Sequence, residues 1–139
     1  GGSIVLVSSV AALVSSADSA AYVTSKTGLL GLARSVAVDY GPLGVRANAL
    51  CPGWVVTPMG DESIDELAGQ RGITREEAYR IATAHVPMRR PASADEVAFC
   101  CLFLASAESS IVTGAALVAD GGATAADVGT LVFEPHVNG

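Results

Sequence analysis

The order of three segments restricts the fold more than anything else in the chain. Ile4-Val5-Leu6-Val7 is an unbroken β-branched and apolar run, the pattern of a strand buried on both faces of a parallel sheet. Residues 21–40 then carry apolar side chains at Leu29, Leu30, Ala33, Val36, Ala37 and Tyr40. That three-and-four spacing predicts a long helix with one buried face. Gly41-Pro42 stops it, with Gly41 expected just past the helix end. Residues 45–51, Val-Arg-Ala-Asn-Ala-Leu-Cys, read as a second strand ended by Pro52-Gly53. Strand, long helix and strand in that order imply a right-handed parallel crossover.

The composition agrees with such an α/β domain. The chain has 139 residues, enough for one domain, with 50% hydrophobic, 16% charged and only 5% aromatic residues. Small apolar residues let helices lie close to a sheet. A net charge of −6 argues against a nucleic-acid partner, which would need a basic face. No apolar run reaches the ~18 residues that suggest a membrane span. The start, Gly1-Gly2-Ser3-Ile4, lacks Met and a basic leader, and opening inside a core strand leads us to expect further sequence upstream. Cys51, Cys100 and Cys101 match neither a disulfide framework nor a zinc spacing. They read as reduced small hydrophobes of a cytoplasmic protein, and no metal site is expected.

The character changes over residues 60–91, a charged insertion too long for a plain connection and read as a lid. Ser63-Ile-Asp-Glu66 and Thr74-Arg-Glu-Glu77 both fit a capping box, so two short helices are expected there. Ser93-Ala-Asp-Glu96 is a third box, opening a helix to about Ser106 with Val97, Cys100, Cys101 and Leu104 inward. Residues 115–119 read as a short strand ended by Asp120-Gly121-Gly122. Gly28 and Gly31 lie inside the long helix, where close helix packing is expected of them. His85 and His136 read as surface or packing residues, and Arg89-Arg90 as helix-end or lid charges.

Tyr22 and Lys26 carry the chemistry. Positions four apart share a helix face, separated by ~6 Å along the axis. A free phenol titrates near 10, too high for a base near neutrality. A neighbouring ammonium favours the phenolate, and a Tyr so tuned can exchange a proton with an alcohol or a developing alkoxide. Alone, Tyr-x-x-x-Lys also fits an ordinary helix surface. Its context adds Ser9, thirteen residues before Tyr22 at the end of the first strand. Ligands of open parallel sheets bind beyond the strands' carboxyl ends. Ser9 could equally be a turn or capping serine, and Ser8 competes for the role.

Four blocks, residues 2–9 (Gly-Ser-Ile-Val-Leu-Val-Ser-Ser), 21–26 (Ala-Tyr-Val-Thr-Ser-Lys), 45–53 (Val-Arg-Ala-Asn-Ala-Leu-Cys-Pro-Gly) and 57–59 (Thr-Pro-Met), resemble the short-chain dehydrogenase/reductase family. So do Thr113-Gly114 and Asp120-Gly121-Gly122, in family order. The resemblance implies a doubly wound parallel α/β sheet of Rossmann type, of which this chain is the C-terminal part. It implies Ser9, Tyr22 and Lys26 as catalytic residues, with Ser9 polarising the substrate carbonyl. Tyr22 and Lys26 would also bind the nicotinamide ribose of NAD or NADP. Pro52 and Gly53 would pass beside the nicotinamide, with the Val55 backbone at its carboxamide and the Thr57 hydroxyl at the carboxamide or a nearby phosphate. Trp54 and Met59 would line the substrate pocket or pack in the core.

The implied activity is hydride transfer between NAD(P) and a secondary alcohol or ketone, in a homodimeric or homotetrameric parent. The family's glycine-rich phosphate loop is not in this sequence, so the chain alone is expected to be inactive. An inactive fragment serving as an oligomerisation or binding module is the alternative. An epimerase or dehydratase on the same fold fits the intact Ser9, Tyr22 and Lys26 less well.

Overall fold

A computed structural model describes residues 1–133. His136 lies outside the described residues. Strands β1 (Gly2–Val7), β2 (Val45–Pro52) and β5 (Ala116–Ala119) form a parallel sheet in the order β1-β2-β5. The strand, helix and strand read from the sequence are present, with α1 spanning Ala20–Tyr40. A second, two-stranded parallel ladder pairs β3 (Val55–Val56) with β4 (Ala92–Ser93). Helices α2 (Pro58–Arg71) and α3 (Arg75–Ala82) lie between these short strands, and α4 (Ala94–Ala105) follows them.

Side chains alternate across a strand, and here each face has its own helix. Leu6, Ala49 and Cys51 pack on one face against Leu30 and Ala33 of α1. On the other, Ser3 Oγ donates to Leu104 O of α4 at 2.7 Å. The Arg46 guanidinium donates to Leu104 O, Ser106 O and Val112 O at 3.0, 2.8 and 3.2 Å, and to Ser109 Oγ at 2.9 Å. A helix leaves its last carbonyls without intrahelical donors, and the planar fork of Arg46 serves those of α4. The fully buried Asn48 amide donates to Val112 O at 2.8 Å and accepts from Ala115 N at 3.0 Å. This side chain fixes the approach to β5. With a helix on each face of a parallel sheet, the chain is doubly wound.

Several expectations need correcting. β1 is not buried on both faces: it is an edge strand here, and Ile4 and Val7 are 42% and 51% exposed. Burial on both faces belongs to β2, paired on both sides. Gly41 is right-handed (φ −54°) and enters a 3-10 turn, Gly41–Leu43; the left-handed residue is Gly44 (φ 76°). Pro42 fits the first turn of that short helix, so the reversal comes three residues later than expected. Ser63 caps nothing: it lies inside α2, which begins at Pro58 with Thr57 as its N-cap. Proline at the first helical position is pre-set for the helix, and that signal outweighs the box at Ser63. The boxes at Thr74 and Ser93 are both formed. A Cβ at Gly28 or Gly31 would meet nothing within 4 Å among the described residues, so neither serves close packing here.

Candidate active site

The first turns of α1 are fastened to the carboxyl end of β1 by reciprocal bonds. Ser8 Oγ donates to Lys26 O at 2.8 Å, and Lys26 Nζ donates to Val7 O at 3.1 Å. The same ammonium stands 5.6 Å from the centroid of the Tyr22 ring. Tyr22 and Lys26 therefore share a face as their spacing predicts, and that face is tied to the strand end from which Ser9 emerges.

The two serines divide their tasks. Ser8 is buried and spends its hydroxyl hydrogen on Lys26 O, so it serves the scaffold. Ser9 caps the 3-10 turn Val10–Ala12, its Oγ accepting from Ala11 N at 3.1 Å. Capping uses an oxygen lone pair and leaves the hydroxyl hydrogen for another acceptor. Turn-capping and chemistry are thus compatible at Ser9. Beneath this loop lies the buried Cys51 thiol. Burial pushes it up from its ordinary value, a shift that the neighbouring Ser8 and Ser9 oppose in part.

Pro52 ends β2, buried, opposite Ala119. Gly53 N donates to Ala119 O at 3.1 Å, and a Cβ on Gly53 would lie 2.9 Å from Asp120 Cβ. The small residue is needed where the ends of β2 and β5 converge, a reason the sequence did not disclose. Burial would raise Asp120, but bonds from the Thr124 amide and hydroxyl and the Gly122 amide outweigh it. They hold this carboxyl below its usual value. Val55 belongs to the β3–β4 ladder, and Thr57 Oγ1 accepts from Gly60 N at 3.2 Å. The Thr57 hydroxyl that the resemblance assigns to the carboxamide or a nearby phosphate is therefore also the cap of α2.

The β3–β4 ladder makes residues 57–91 an excursion closed at its base. Arg90 at its exit forms a two-pronged pair with Glu96, at 2.6 and 2.8 Å, while Glu96 also accepts from Ser93 N. The Arg90 guanidinium, and after it the Ser93 amide, hold Glu96 down to about 2. Trp54 and Met59 are 40% and 74% exposed, so neither is a packed core position, and His85 is at the surface. All three cysteines are free.

Open grooves lie at two places among the described residues. One runs between the start of α4 and the Asp120-Gly121-Gly122 turn, the other between α3 and residues 89–91. Neither is lined by Ser9, Tyr22 or Lys26. Tyr22 stands at the surface, 45% exposed.

A two-faced parallel sheet with its polar cluster at the strands' carboxyl ends defines an α/β protein of Rossmann type. A family model described as "Enoyl-(Acyl carrier protein) reductase" matches residues 1–124. "Protein MoaE" of Klebsiella aerogenes is 52% identical over 132 residues, covering 95% of this chain and 51% of that protein. "2-(R)-hydroxypropyl-CoM dehydrogenase" of Xanthobacter autotrophicus is 42% identical over 126 residues, covering 89% and 46%. The ligand-free aldohexose dehydrogenase of Thermoplasma acidophilum superposes with a TM-score of 0.85 at 38% identity, covering 91% of this chain and 49% of that one. The chain belongs to the short-chain dehydrogenase/reductase family. It spans about half the length of the curated relatives it matches.

Proposed function

We propose that the protein containing this chain is an NAD(P)-dependent oxidoreductase acting on a secondary alcohol or the corresponding ketone. The observation that carries the reading is the Tyr22–Lys26 contact, pinned to the strand end that bears Ser9. The residues fit the nicotinamide half of a dinucleotide. Lys26 keeps ammonium hydrogens beyond the one given to Val7 O, and these suit the hydroxyls of a ribose. Pro52 and Gly53 give a rigid turn at the neighbouring strand end. When bound, the nicotinamide supplies or accepts the hydride.

The protein's own residues handle the oxygen and its proton. The Ser9 hydroxyl donates a hydrogen bond to the substrate oxygen and polarises the carbonyl. In the oxidative direction Tyr22 takes the hydroxyl proton as the carbon–hydrogen bond breaks; in reduction it returns a proton to the alkoxide. The Lys26 charge beside the ring stabilises negative charge developing on the phenol oxygen. The same reading gives the whole protein a cytoplasmic location and a homodimeric or homotetrameric assembly.

Tyr22→Phe in the whole protein tests this proposal. We expect turnover of alcohol or ketone to be lost while dinucleotide binding is retained. Unchanged turnover removes Tyr22 from the mechanism.

A further inference from the structure

Tyr79 is a large residue of the excursion that the proposed chemistry leaves unused. It is 8% exposed, and its hydroxyl donates to Asp61 Oδ1 at 2.8 Å. Its ring meets Trp54 edge-on, with centroids 6.4 Å apart and planes at 90°. Gly60 lies beneath the hydroxyl. A Cβ there would come 3.1 Å from Tyr79 Oη and 2.3 Å from Val55 O. Tyr79 thus touches the start of α2 and the site segment 53–57 together. It is itself held: Thr83 gives both its amide and its hydroxyl to Tyr79 O, at 3.0 and 2.8 Å. Asp61 is held in turn, its Oδ2 accepting from Arg75 at 3.3 Å while Arg75 pairs with Asp65. Burial, followed by the bond to Asp61, pushes the Tyr79 phenol up to about 12. It therefore stays a hydrogen-bond donor through neutral pH.

We propose that Tyr79 is a positioning residue. Its hydroxyl ties α3 to Asp61 of α2 and its ring meets Trp54, so the placement of the α2–α3 hairpin sets the wall on which a substrate rests beside Pro52-Gly53. The proposal rests on the dehydrogenase reading for what that wall holds. It does not rest on that reading for the coupling itself. Edge-to-face aromatic pairs favour one geometry over others, so loosening Tyr79 changes how Trp54 is held.

The test compares Tyr79→Phe, Asp61→Ala and the double variant in the whole protein. Trp54 emission is isolated by subtracting the spectrum of Trp54→Phe, and cyclohexanone serves as the ketone probe. Tyr79→Phe keeps the ring and loses only the hydroxyl. We expect a longer-wavelength Trp54 emission maximum and a KM for the ketone raised about fivefold, the equivalent of one net hydrogen bond. The kcat should stay within about twofold of the parent. The double variant should be no worse than Asp61→Ala, which already removes the bond from the Tyr79 hydroxyl along with that from Arg75. A merely structural Tyr79 would lower the melting temperature and leave the emission and KM unchanged, overturning the proposal. Additive effects of the two substitutions would also overturn it. The emission requires no turnover and so reads on Tyr79 even if the dehydrogenase reading fails; Tyr22→Phe reads on that reading with Tyr79 intact.

Discussion

Replacing Asn48 by Leu probes the interaction that holds β5 in the sheet. The side chains are similar in volume, so little cavity is made, but both amide functions go. Two part-buried hydrogen bonds are lost, to Val112 O and from Ala115 N, together worth about 2 kcal/mol net. Val112 O keeps the Arg46 donor, whereas the Ala115 amide loses its Asn48 acceptor. An orphaned donor costs about 1–2 kcal/mol more. The sum is about 3–4 kcal/mol, which in a family-length domain lowers the melting temperature by roughly 6–16 °C. Urea titration of the whole protein, with the slope checked for constancy, measures it. A loss below about 1 kcal/mol would show that this amide is not what holds the approach to β5.

Gly53→Ala should force the ends of β2 and β5 apart, because its Cβ would sit 2.9 Å from Asp120 Cβ. A cost of about 1–3 kcal/mol and weaker dinucleotide binding are expected, read by denaturation and calorimetry. Glu96 titrates at about 2 when folded, against an ordinary 4.5. A depressed folded value means its contribution is present above 4.5 and is lost as pH falls toward 2. Glu96→Gln should therefore flatten the decline of melting temperature across that window, and an unchanged decline would refute the assignment. Residues 1–139 alone should bind NADH and NADPH poorly, since the family's glycine-rich phosphate loop does not occur in their sequence; calorimetry showing micromolar binding would contradict this.

The strand–helix–strand unit around α1 was legible because period and punctuation agree over long segments. Leu30 and Ala33 do face the sheet, and Thr74 and Ser93 do cap. Errors arose where two local signals compete or where partners lie far away in sequence. Thr57-Pro58 outranks the box at Ser63 as a helix start. Gly41 reads as a stop, yet the left-handed turn needs Gly44. Edge or centre is a property of sheet order, so Ile4-Val7 and Ala47-Cys51 look alike as strings while only β2 is enclosed. The tasks of Arg46, Asn48 and Tyr79 depend on partners at residues 104–115 and 54–61, and no spacing rule connects those positions. For the proposed catalytic set, the shared face of Tyr22 and Lys26 was legible in their helical spacing, whereas the division of labour between Ser8 and Ser9 needed the bond from Ser8 to Lys26 O.

The central claim is that Ser9, Tyr22 and Lys26 act on one bound oxygen. An experimental structure of the whole protein with dinucleotide and a ketone or alcohol tests it most directly. The account predicts Ser9 Oγ and Tyr22 Oη both within roughly 2.6–3.2 Å of the same substrate oxygen, with Lys26 Nζ on a ribose hydroxyl. A substrate oxygen bound away from Tyr22, with the phenol still facing solvent, would contradict it.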